Sequence, residues 1–155
     1  MSLTKLSGPS IANVAISGNT SVSGTLTVTG NTSVTGTLSV TGAFSPNTAA
    51  RVVTLVDTAT PALDANTGDV FILTATGDRT IAVPTNPLNG QKIIIRHLAS
   101  GGSRTLALNS STGGFRFGSD VTSLTLTVSG KTDYIGCIYN STDNKWDVVA
   151  YVKGF

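Results

Sequence analysis

Glycine recurs every six residues in the first third of the chain, at Gly18, Gly24, Gly30, Gly36 and Gly42. Valine keeps the same period at Val22, Val28, Val34 and Val40, and Leu26 and Leu38 add a second apolar site in alternate hexads. Asn19-Thr20-Ser21-Val22 returns as Asn31-Thr32-Ser33-Val34, which superimposes a twelve-residue unit. Val14 and Ile16 carry the pattern backwards, and Pro46 falls in the valine slot and ends it. A fixed short period is the signature of β-helical and fibrous architectures. Leu26 and Val28 are two residues apart, hence on one face of an extended chain. A glycine at each corner permits a tight bend or a close backbone approach. A flexible Gly/Ser/Thr linker, the competing reading, has no reason to hold valine in register.

One or two apolar side chains per hexad make a stripe too thin for the core of a single chain. A one-chain β-helix would complete fewer than about two turns here, whereas stacked repeats need about three units. Three chains around a common axis remove the difficulty, each giving one hexad per layer. The expectation is a homotrimer whose threefold axis runs along a short stem, with Val22, Leu26, Val28, Val34, Leu38 and Val40 facing the axis. Stacked hexads give a stem of roughly 25 Å and fully extended strands one of about 100 Å.

Beyond residue 45 the pattern changes to individual strands separated by turn chemistry. Expected strands are Arg51–Asp57, Asp69–Thr76, Thr80–Pro84, Gln91–Leu98, Arg104–Asn109, Thr122–Ser129, Asp133–Asn140 and Lys145–Lys153. Gly77-Asp78, Asn86 to Gly90, Ser100-Gly101-Gly102, Gly113-Gly114 and Ser141 to Asn144 separate them, and the last of these reads as a hairpin. Ile93-Ile94-Ile95 is apolar on both faces, the mark of a central strand, and Tyr134 to Tyr139 is of the same type. Trp146, Val148, Ala150 and Val152 are expected on one face of the last strand, with Asp147, Val149, Tyr151 and Lys153 on the other. Phe115 and Phe117 are expected to insert under a loop. Helix formers such as Glu and Gln are scarce, while Thr, Val, Gly and Asn abound. The fold class is therefore all-β: a short trimeric β-helical or β-fibrous stem followed by a β-sandwich head of jelly-roll type. The organisation is an N-terminal arm over residues 1–17, the hexad stem over 18–44 and the head over 45–155.

Charged residues make up only 12% of the chain against 39% hydrophobic ones. An ordered chain short of charged surface is expected to be covered by neighbours. The net charge of +2 and the lack of a Lys/Arg cluster argue against a nucleic-acid partner. No apolar run is long enough to insert in a membrane, and Met1 to Lys5 lacks the apolar region of a signal peptide, so synthesis in the cytoplasm is expected. Cys137 is the lone cysteine, which excludes an intrachain disulfide. One Cys and the single His97 cannot build a zinc site, and the glycine pairs lack a phosphate-loop lysine. No cofactor, metal or catalytic residue is expected. His97 reads as a packing residue, and Asp143 and Asp147 read as turn residues rather than a glycosidase pair. Sugars would need exposed aromatic faces, for which Tyr139 and Tyr151 are the foremost candidates and Trp146 and Phe155 further ones.

Residues 68–155 resemble a module at the C-termini of tailed-bacteriophage virion proteins, of the trimeric tail-fibre and head-decoration type. The resemblance lies in Gly68-Asp69-Val70-Phe71, Arg79-Thr80-Ile81, Asn89-Gly90-Gln91-Lys92 and Phe115-Arg116-Phe117-Gly118. It is fullest in Lys131 to Gly136, Lys145 to Val149 and Lys153-Gly154-Phe155. The glycine/valine hexads resemble the stems that precede such modules. The resemblance implies trimeric assembly in a phage particle and no catalytic residues. A short stem with a small foot suits a capsid surface, which gives a first expectation: a decoration protein that cements the head. Leu3, Leu6, Ile11 and Val14 would then anchor it on the major capsid protein. The alternative is a short tail fibre or spike tip, held by a tail protein and binding a host surface glycan.

Overall fold

The computed structural model describes residues 50–155 without a break and, before them, residues 23, 25, 27, 29, 32–36 and 39. The chain divides into two units, Met1–Ser45 and Pro46–Phe155. Of the axis candidates only Val34 is described, and half of it is exposed. Val22, Leu26, Val28, Leu38 and Val40, like the anchor candidates Leu3, Leu6, Ile11 and Val14, lie outside the described residues.

The second unit is built from strands alone: β1 (Val52–Thr54), β2 (Val70–Ala75), β3 (Arg79–Ile81), β4 (Lys92–Ala99), β5 (Leu106–Leu108), β6 (Phe115–Phe117), β7 (Thr132–Asn140) and β8 (Lys145–Val152). Six of them form one mixed sheet in the order β1-β2-β4-β7-β8-β6, and β3 pairs with β5 in a second, two-stranded sheet. β1, β2 and β4 are mutually parallel, with Val52 opposite Val70 and Val70 opposite Ile94. β3 and β5 are parallel too, as is the bridge between Asp64 and Thr85.

These pairings describe a chain that winds. The first two circuits leave a strand in the large sheet, cross to the second wall and return one strand further along; the third, through β5, returns as β6 at the far edge beside β8. Residues just after β1 take part: the Ala59 and Pro61 carbonyls accept from the amides of Thr80 and Ala82 at 3.1 and 3.0 Å. Parallel strands need long crossovers, and here the crossovers are themselves extended chain rather than helices. Between strands, antiparallel pairing enters only with the hairpin β7–β8, which covers the free side of β4. The all-β expectation therefore stands, while the architecture is a short coil closed by a hairpin, with parallel pairs that an antiparallel jelly roll lacks.

The core fills the coil. Along β4 the pattern alternates strictly, with Ile93, Ile95, His97 and Ala99 buried. Cross-strand registry carries the inner row Val53, Phe71, Ile95, Ile135 and Tyr151 through five strands. Trp146, Phe115, Leu63 and Ile81 complete the interior. Burying a side chain of this size contributes roughly 1.5–3 kcal/mol each, enough for one unit to form its own core.

Three local expectations need correction. Phe115-Arg116-Phe117 is a strand, parallel to β8, rather than a plug beneath a loop. Thr122–Ser129 is not a strand; a single antiparallel bridge ties Thr127 to Arg104. Thr127 turns inward to polar partners there, so Leu126 and Val128 face solvent. On β8 the alternation breaks at a bulge: Ala150 lies opposite Gly136 but Val148 opposite Cys137, so Val149 is the extra residue. Beyond it the faces exchange. Ala150 and Val152 point outward while Tyr151 turns to the core.

Candidate functional site

Four polar side chains meet on the inner side of the sheet, and the bulge supplies one of them, Tyr151. His97 and Asp133 face each other across β4 and β7. His97 Nδ1 lies 3.0 Å from Thr127 Oγ1, whose hydroxyl donates to Asp133 Oδ2 at 2.7 Å. Tyr151 Oη lies 3.0 Å from the same carboxylate oxygen and 3.0 Å from the Thr125 carbonyl. The Gly154 amide donates to Asp133 Oδ1 at 2.9 Å. Because the Thr127 proton goes to Asp133, His97 Nδ1 must be the donor to Thr127, which fixes the tautomer. Burial holds the imidazole below its ordinary pKa, against the opposing pull of the Asp133 charge.

This quartet has the residue types of a catalytic relay in the wrong order. A relay places histidine between hydroxyl and carboxylate; here the hydroxyl stands between histidine and carboxylate. The Thr127 proton points to the Asp133 carboxylate and away from the imidazole, and His97, Thr127 and Asp133 are all closed to solvent. The network fastens two irregular segments, Thr125–Thr127 and the C-terminal Gly154, to the sheet.

Asp143 and Asp147 both hold Arg116, at 2.8 and 2.7 Å. The guanidinium keeps the Asp147 carboxyl below its usual range, whereas the acid of a glycosidase pair needs a raised one. Burial pushes the Cys137 thiol up to about 12, which leaves it unreactive. Among the described residues no group of His, Cys, Asp or Glu is placed to hold a metal ion, and no helix is long and apolar enough to cross a membrane.

The aromatic candidates part company. Tyr139 packs against Trp146 with ring centres 5.2 Å apart, and its hydroxyl donates to Asn144 at 2.7 Å. Both rings belong to the core, so neither offers a face to a sugar. Tyr151 is partly buried and held by Asp133 and Thr125. Phe155 alone stands open, edge-on to Tyr134 at 5.3 Å.

What the sequence reading passes over is the outer face of the large sheet. Registry lines up Val52, Val70, Ile94, Gly136 and Ala150 in one row across five strands, with the bulged Val149 beside Gly136. The next row is Thr54, Ile72, Arg96, Tyr134 and Val152. Ile94 is 42% exposed, Val152 50%, Val149 56% and Val52 58%. A third row, Lys92, Ile138, Asp147 and Arg116, carries charges of both signs. The signal was present in Ile93-Ile94-Ile95, which is apolar on both faces although only one face meets the core.

These features define an all-β protein with an open apolar sheet face above a sealed polar network. No protein-family model, no curated protein and no solved structure matches the chain.

Proposed function

We propose that the chain is a structural component of a tailed-bacteriophage particle, a homotrimer that decorates and cements the head surface. The carrying observation is the open apolar face of the large sheet, on a chain whose hexad sequence also repeats valine and leucine too sparsely to make a core of its own. A chain with two such surfaces and few charges suits life among close neighbours, not free diffusion. The residue-level resemblance to phage modules gives the setting, and the reversed order of the His97 network favours adhesion over chemistry.

In this reading the hexads form a trimeric stem, and Leu3, Leu6, Ile11 and Val14 anchor it on the major capsid protein. Three feet engaging one shell multiply affinity through their high local concentration, and binding to the assembled shell alone stabilises it by linkage. Sedimentation of the full chain should give three times the mass of one chain. Removing residues 1–11 should abolish co-sedimentation with phage heads and leave that mass unchanged in stoichiometry. A monomer, or undiminished binding by the shortened chain, would refute the respective half of the proposal.

A short fibre or spike tip binding a host glycan is the second reading, favoured by the exposed Phe155 ring against Tyr134. Glycan-array binding that is lost in Phe155→Ala would establish it over the first.

A further inference from the structure

We infer that the outer face of the six-stranded sheet is where copies of this chain pack against one another, around Ile94, Gly136 and Val149. The inference rests on the assembly reading above and adds to it the surface that meets the neighbour.

Size comes first. Four strands about 4.8 Å apart and some eight residues long, at about 3.3 Å per residue, make a flat face of roughly 500 Å². With the three-residue β1 and β6 at its flanks it reaches about 600 Å², three quarters of the ~800 Å² per partner of a stable association. Single chains rarely leave an apolar patch beyond a few hundred Å² open to water.

Shape and charge identify the occupant as another copy. The centre is apolar, with Val70, Ile94 and Ala150 in register around Gly136. Ala150 and the bulged Val149 close over Gly136, where an added Cβ would already lie 3.4 Å from Ala150, so the centre of the row is continuous aliphatic surface. The rim row pairs Arg116 with Asp147 at 2.7 Å and adds Lys92. Apolar centre, mixed polar rim and an arginine near the middle, here Arg96, form the usual anatomy of a protein interface. A rim of both signs suits a like-charged twin; a nucleic acid or an acidic partner would call for one sign throughout.

The test uses the full chain. Ile94 and Val149 are exposed in one copy, so Ile94→Asp and Val149→Asp should keep the circular dichroism spectrum of the parent. Each should raise the concentration needed for assembly about tenfold or more in sedimentation. Leu88→Asp, at a turn position 69% exposed that belongs to none of the three rows, should leave assembly unchanged. Hydroxyl-radical footprinting of the unaltered chain decides the matter even if a variant misfolds. Ile94, Val149 and Val152 should be oxidised several-fold less than Leu88. An unaltered chain that sediments as an oligomer, yet shows oxidation in proportion to these exposures, overturns this surface while the assembly reading stands. A monomeric unaltered chain overturns both.

Discussion

The two faces of β4 carry similar residues in different circumstances. Ile93, Ile95, His97 and Ala99 point into the coil and are buried, whereas Lys92, Ile94, Arg96 and Leu98 point out. On the inner face each apolar group has a partner in the same chain. On the outer face the apolar groups align just as regularly, row by row, and meet water. Among the described residues, packing partners account for the first face only. The second has no such partner among the described residues, and that difference is what the proposed packing between copies rests on.

The contrast can be broken most severely from inside. Phe71→Ala or Trp146→Ala removes a fully buried ring and should cost about 3–5 kcal/mol in denaturant unfolding. Asp133→Ala deprives Thr127, Tyr151 and Gly154 of their common acceptor and should cost about 2–4 kcal/mol. A loss below about 1 kcal/mol would mean that the network is not a fastener.

Acid should act on the same network more gently. The His97 pKa is depressed in the folded chain, so the unfolded chain takes up its proton first. Stability is complete above the ordinary histidine pKa of about 6.5 and falls as pH drops towards the lower folded value. The slope approaches about 1.4 kcal/mol per pH unit within that window and levels off below it. His97→Gln should remove this slope, as measured by unfolding at graded pH. Smallest of all, Ile94→Ala on the outer face should change unfolding of a dissociated chain by less than about 0.5 kcal/mol, in contrast to about 2–5 kcal/mol for Ile95→Ala one residue away.

Much of the strand content was legible. Ile93–Ile95 and Tyr134–Tyr139 announce central strands by being apolar on both sides, and β4 and β7 are adjacent in the middle of the sheet. The Ser141–Asn144 hairpin was legible through its turn residues, with Asn144 taking the positive φ that asparagine tolerates. The winding was not. Its pairs join residues far apart in sequence, such as Arg79 with Leu106, and strand crossovers give no helical period to reveal them. The bulge was hidden because Val148-Val149-Ala150 is apolar throughout, so an extra residue leaves no mark on the pattern. With it was hidden the inward turn of Tyr151; the rest of the His97 network was hidden because it joins residues on three separate segments that look unremarkable one at a time.

The order in which the strands are made has a consequence for biosynthesis. β7 covers the edge of β4, and the last backbone amides, Gly154 and Phe155, bond to Thr132 at its start. While the ribosome is still adding those residues, the parallel half stands with its most aliphatic strand uncovered. Such an edge is a template for aggregation, and long-range pairings form slowly. A message cut short before residue 132 would therefore yield a sticky half-coil, so the yield of soluble protein depends on completing the C-terminal hairpin.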